Sequence, residues 1–144
     1  MSGSSFREAT GRTVLSRATA EKAGEVSQFV VDGEGRRVVA LAVGKGRKAR
    51  VVDWSAVTGF GPDAVMIESE AALREPAADE LKHDWLGRRL LSDRGFEVGS
   101  VRDVEFDPES GQLLSLVTDG DSGAPVPADR VRGAGSYAVV VAAG

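Results

Sequence analysis

Cysteine is absent from this chain of 144 residues, and histidine and tyrosine occur once each. Without thiols there can be no disulfide framework, zinc knuckle or cysteine nucleophile, so packing and backbone pairing must hold the fold. Long apolar runs are missing as well. The longest, Val38 to Val43 and Ala138 to Ala143, have six residues each, against roughly 18 or more for a bilayer-crossing helix. The opening Met1 to Glu8 carries charge at once and lacks the apolar stretch of a signal peptide. A cytoplasmic protein with no membrane span is the expectation. A large excess of one charge is also lacking, since 18 Lys and Arg face 22 Asp and Glu for a net charge of −4. That balance gives no global attraction to nucleic acid but leaves room for a local basic patch.

What is present is a repeat. Gly11-Arg12-Thr13-Val14-Leu15-Ser16 returns as Gly87-Arg88-Arg89-Leu90-Leu91-Ser92, 76 positions later. Gly24-Glu25-Val26 answers Gly99-Ser100-Val101, Phe29 answers Val104, and Val31-Asp32 answers Phe106-Asp107. Further on, Val57-Thr58-Gly59-Phe60-Gly61 matches Val131-Arg132-Gly133-Ala134-Gly135 at an offset of 74. The reading is a first domain over residues 4–72, a linker over 73–83 and a second domain over 84–144. Residues 1–72 carry a net charge of +1 and residues 84–144 a net of −4. Two copies of one fold with such different surfaces are expected to divide roles.

Each copy reads as strands, because apolar residues alternate with polar ones and turn chemistry recurs every eight to twelve residues. Val104 and Phe106 share one face while Asp103, Glu105 and Asp107 share the other. Asp107-Pro108-Glu109-Ser110-Gly111 reverses the chain, and Asp32-Gly33-Glu34-Gly35 does so in the first copy. Five or six short antiparallel strands per copy, with almost no helical periodicity, predict a mainly β fold of two small closed barrels. Each copy alone is marginal in size, so the two are expected to pack as a pseudo-twofold pair, with room for a further homodimer. The linker could hold one short helix, divided by Pro76.

The stretch from Leu86 to Leu113 resembles the PRC-barrel domain. A Gly-led opening strand comes first, then Gly99-Ser100-Val101-Arg102-Asp103, then the hairpin Asp107-Pro108-Glu109-Ser110-Gly111. Val126-Pro127-Ala128-Asp129-Arg130-Val131 is similar to the family's closing stretch, as is Val52-Asp53-Trp54-Ser55-Ala56-Val57 in the first copy. The first copy departs where Gly33 replaces Pro108 and Gln28 replaces Asp103. The resemblance implies action mainly through protein contacts and carries over no catalytic residues.

The candidate chemistry is sparse. His83 lies in a polar linker with no Ser or Cys pattern to make it a general base. The row Asp103, Glu105, Asp107 and Glu109 reads as a wet strand face, and neither it nor Asp119 to Gly123 is followed by a calcium loop's acidic twelfth ligand. Gly44 to Ala49 and Gly133 to Ala138 match a loose dinucleotide pattern, yet neither joins a strand to a helix. No cofactor or metal is expected, and no enzyme. Lys45, Arg47, Lys48 and Arg50 place four cations in six residues at a loop tip. They suit phosphate backbone, but no aromatics interleave to stack bases. Trp54, Phe60, Trp85 and Phe96 are the candidate inter-domain or partner contacts. The expectation is therefore a scaffold that binds a protein partner, with an RNA-associated, ribosome-assembly type of factor as the alternative.

Overall fold

The computed structural model describes residues 3–119 and 124–142. In chain order the elements are β1 (Ser4–Ser5), α1 (Phe6–Ala9), β2 (Thr13–Ser16), β3 (Lys22–Val31), β4 (Val38–Val43), β5 (Arg50–Asp53), β6 (Val57–Phe60) and β7 (Val65–Ile67). A linker follows, then β8 (Arg89–Ser92), β9 (Glu97–Phe106), β10 (Leu113–Thr118), β11 (Val126–Pro127), β12 (Val131–Ala134) and β13 (Val139–Val141). The fold is mainly β. One sheet runs β5-β4-β3-β2-β7-β6 and the other β11-β10-β9-β8-β13-β12, with β1 added to β9.

The two sheets repeat each other strand for strand. Val14 pairs in parallel with Val65, as Leu90 does with Val139. Phe29 opposes Leu41, as Val104 opposes Leu116. The bulge between Val14 and Leu15 returns between Leu90 and Leu91, and that between Val57 and Gly59 returns between Val131 and Gly133. Register is set by which alternate residues must be buried. Val14, Ser16, Val65 and Ile67 are buried in one sheet, and Leu90, Ser92, Val139 and Val141 in the other.

Closure was the expectation, and the sheets do not close by hydrogen bonds. Among the described residues β5 and β6 share no ladder, although only the single 3₁₀ turn Trp54–Ala56 separates them in the chain. A path of six strands whose edges are joined by three residues must curl, so the buried faces of each sheet turn inward. The β11 and β12 edges are likewise joined by one 3₁₀ turn, Ala128–Arg130.

Helix is scarce. The short helix expected of the linker is not formed, since residues 73–83 hold a turn, and the 3₁₀ turn Glu70–Ala72, capped by Ser69, lies at the end of the first copy. The four-residue α1 is not predicted by periodicity, which needs several turns to register. It forms because the Ser5 hydroxyl accepts from the Glu8 N–H at 3.1 Å and because Phe6 and Ala9 are buried.

Candidate functional site

The two sheets meet where the hairpins of β3-β4 and β9-β10 cross. Val38 N–H donates to Gly111 O at 2.8 Å, and Leu113 N–H donates to Arg36 O at 2.9 Å. Adding 75 to the first pair gives the second, and Arg37 bridges Gln112, its own counterpart. Arg36 reaches across to the carbonyls of Ala128 (3.1 Å) and Val131 (3.0 Å). Gly35 and Gly111, at φ +74° and +80°, admit this approach. A Cβ on Gly35 would lie 2.6 Å from a Val131 methyl, and one on Gly111 would lie 3.1 Å from Val38 O.

On one flank of the crossing five rings meet. Phe6 stacks on Phe29 at 4.3 Å, and Phe106 from the second copy touches Phe6, Phe29, Trp54 and Phe60 at 5.3 to 6.1 Å. Arg12 lies 5.1 Å above the Phe60 ring and donates to Gly61 O at 2.9 Å. Edge-to-face and offset pairs of this kind add to the burial itself.

On the other flank lies a pocket of about 290 Å³. Val31, Trp85, Arg88 and Ala134 form its walls, with Asp79, Glu80 and His83 from the linker. Trp85 is buried, whereas His83 is exposed. Arg88 donates to Gly135 O at 2.6 Å, and its Nη2 is buried without a hydrogen-bond partner. Burial pulls the guanidinium below its usual range, and the Asp84 charge opposes that pull. Glu80 is fixed by both oxygens to Arg74, at 2.9 and 2.7 Å, and also accepts from Ala77 N–H at 2.8 Å. Those bonds hold its carboxyl below the usual carboxylate range. Arg74 also bonds Asp53 and pairs its backbone with Val51, so the linker covers the free edge of β5.

The basic loop sits in the hairpin between β4 and β5 as the 3₁₀ turn Gly46–Lys48. Lys45, Arg47 and Lys48 are exposed, and among the described residues none of the three has an ion pair. Arg50 differs, because it is paired with Glu75. The fourth cation of the run is therefore spent on the linker.

The four aromatic candidates separate. Trp54, Phe60 and Trp85 line the junction between the copies, while Phe96 stands 71% exposed at the hairpin between β8 and β9. Tyr137, which the sequence reading passed over, is 69% exposed and holds Arg89, whose guanidinium lies 5.0 Å from the ring and donates to the hydroxyl at 2.6 Å. Arg36, Arg74 and the pair Arg12 and Arg88 were also passed over. Only the last pair had a signal, since both arginines follow the leading glycine of the repeat.

Three carboxylates of the row accept hydrogen bonds. Asp103 accepts from the Arg7 and Val104 amides, Glu105 from the Ser115 hydroxyl, and Asp107 from the Glu109 amide. No group of three metal-ligating side chains occurs among the described residues. Most of the Asp119 to Gly123 segment lies outside those residues. Neither glycine pattern opens a helix of phosphate-binding length. Gly44 to Ala49 holds the 3₁₀ turn, and Gly133 to Ala138 joins β12 to β13. No helix among the described residues is long and apolar enough to cross a membrane.

The family model for the PRC-barrel domain matches residues 1–74 and again residues 79–142. The chain belongs to the PRC-barrel family. It carries the domain twice, and the duplicated strand pairing is the structural face of that match. A search of curated proteins returns no match to this tandem PRC-barrel chain.

Proposed function

We propose that this protein is a non-enzymatic scaffold of the cytoplasm whose two PRC-barrels, each closed at the short β5-β6 or β11-β12 link, pack as a pseudo-twofold pair and bind a protein partner. The reciprocal hydrogen bonds between Val38 and Gly111 and between Leu113 and Arg36 support the pairing, since a twofold contact repeats each bond with the roles exchanged. One observation carries the partner reading. Phe96 and Tyr137 stand exposed on the second copy, at the places where the first copy has exposed Glu21 and Asp63. Aromatic and arginine side chains are what protein interfaces concentrate, and the Tyr137–Arg89 pair adds both. The test is capture of a partner from the native extract by the full chain, followed by a high-salt wash. Wild type should retain the partner, and a Phe96→Ser, Tyr137→Ser double variant should lose it. Equal retention by both would overturn the reading.

A second reading rests on Lys45, Arg47 and Lys48, three exposed cations free to meet phosphate. It predicts RNA that is captured at low salt, released at high salt, and lost when the three are changed to alanine.

A further inference from the structure

Arg12 and Arg88 occupy the same place in the repeat and are anchored alike, each donating Nη1 to the glycine carbonyl at the β6-β7 or β12-β13 turn. What lies against them differs. Arg12 is covered by Phe60, with Phe6 and Phe106 packed alongside. The corresponding positions of the repeat hold Ala134, Lys82 and Val31, of which Ala134 and Val31 line a pocket with Arg88. Three rings are lost in these exchanges and one is gained, Trp85 in place of Ala9, and the pocket lies beside Arg88. It is walled by Val31, Trp85 and Ala134, with Arg88 among its lining residues.

We propose that this pocket receives a phenylalanine or tyrosine side chain of a protein partner. The proposal rests on the protein-binding reading and names the chemistry of the partner. The molecule itself supplies the occupant's identity, because the same arginine in the first copy is covered by a phenylalanine carried on a strand. Size agrees. An apolar cavity near 150 Å³ holds a benzene ring, so about 290 Å³ admits a ring together with adjoining backbone. Charge selects further. Asp32, Asp79 and Glu80 line the pocket, and although Asp79 pairs with Lys82 and Glu80 with Arg74, the second copy carries the chain's negative excess. Lysine or arginine beside the partner's aromatic residue is therefore favoured, and an acidic small molecule is disfavoured. A ring seated in a pocket and rimmed by charge is the usual anatomy of an interface anchor.

The test uses the ¹⁵N-labelled full chain and the peptide acetyl-Lys-Phe-Lys-amide. Saturable shifts are expected at the Trp85 indole N–H and at the Ala134 and Gly135 amides. Acetyl-Lys-Ala-Lys-amide should bind about tenfold more weakly or worse, the factor that burying a ring in place of a methyl implies. Ala134→Phe, which writes the first copy's residue into the second, should abolish the shifts. Should that variant fail to fold, Val31→Phe fills the same space from the opposite wall. Equal response to the two peptides, no response to either, or shifts that persist in a folded filled variant would overturn the proposal. If the filled variant still captures the native partner while the Phe96, Tyr137 variant does not, the pocket assignment falls and the scaffold reading stands.

Discussion

Phe60 and Ala134 hold the same position in two copies of one barrel, and so do Phe106 and Val31. On one flank of the junction rings consequently pack against the repeat's arginine, while on the other open space lies beside its counterpart Arg88. The six-strand path does not register the difference, because strand order and the bulges of β2-β3, β3-β4 and β6-β7 return in β8-β9, β9-β10 and β12-β13. Duplication has thus kept the frame and redistributed the side chains. The lesson is about division of labour. The ring cluster ties the two copies together on one flank, and the pocket on the other is the proposed place of recognition.

The sharpest way to break this comparison is to take a ring from the cluster. Phe106 is fully buried and touches four rings of the first copy. Phe106→Ala should cost about 3–5 kcal/mol, and the copies should still unfold in one transition because the ring serves both. Val31→Ala, its counterpart, is half-buried beside existing space and should cost about 1 kcal/mol. Urea denaturation followed by tryptophan fluorescence measures both, since Trp54 and Trp85 report on opposite flanks. Equal costs would mean that the flanks are equivalent.

The frame was legible in the sequence because strand periodicity and turn residues are local. The alignment of Val31-Asp32 with Phe106-Asp107, and the two hairpins after them, reappear in the pairing of β3 with β4 and β9 with β10. Placement of side chains between copies was not legible. The Phe60 and Ala134 match is plain in the repeat, yet nothing local says that this position faces the other barrel. Arg36 reaches carbonyls more than ninety residues away, and β1 pairs with a strand some hundred residues on. Such contacts depend on how two curled sheets meet, which no periodicity encodes. The basic loop stood out because its charges cluster in a turn, but the engagement of Arg50 by Glu75 depends on where the linker runs.

A smaller effect sharpens the comparison at the crossing itself. Gly35→Ala and Gly111→Ala both force a side chain to adopt a left-handed conformation that costs about 1 kcal/mol by itself. The collisions differ. At Gly111 the new methyl meets the Trp54 indole nitrogen at 3.0 Å and the Val38 carbonyl at 3.1 Å, the latter a backbone atom of a residue whose N–H joins the crossing ladder. At Gly35 it meets a Val131 methyl and the Trp85 ring, and Trp85 borders the pocket. Gly111→Ala should therefore cost about 3 kcal/mol and Gly35→Ala about 2 kcal/mol, read as thermal shifts. The reverse order would mean that Trp85 has no space to yield.

The mildest test concerns the arms that lead into each copy. Ser4, in the first arm, is held by a backbone ladder to Phe106, whereas Glu80, its counterpart in the second arm, is held by charge to Arg74. Arg74 stays protonated throughout the accessible range, and hydrogen bonds from it lower the Glu80 carboxyl from its ordinary value of 4.5. The folded form thus releases its proton more readily than the unfolded chain. The clamp's contribution is complete above about pH 4.5 and is lost as pH falls through the lower folded value. Both side chains touch solvent, so the contribution is about 1 kcal/mol. Glu80→Gln should lower stability by that amount at neutral pH and by almost nothing in acid. Amide exchange separates the arms. Residues 77–83 should open more readily in the variant at neutral pH and in wild type at low pH, while Ser5 and Glu105 should show no change attributable to this group. An equal stability gap between variant and wild type at both pH values would show that the second arm, like the first, is held without the charge.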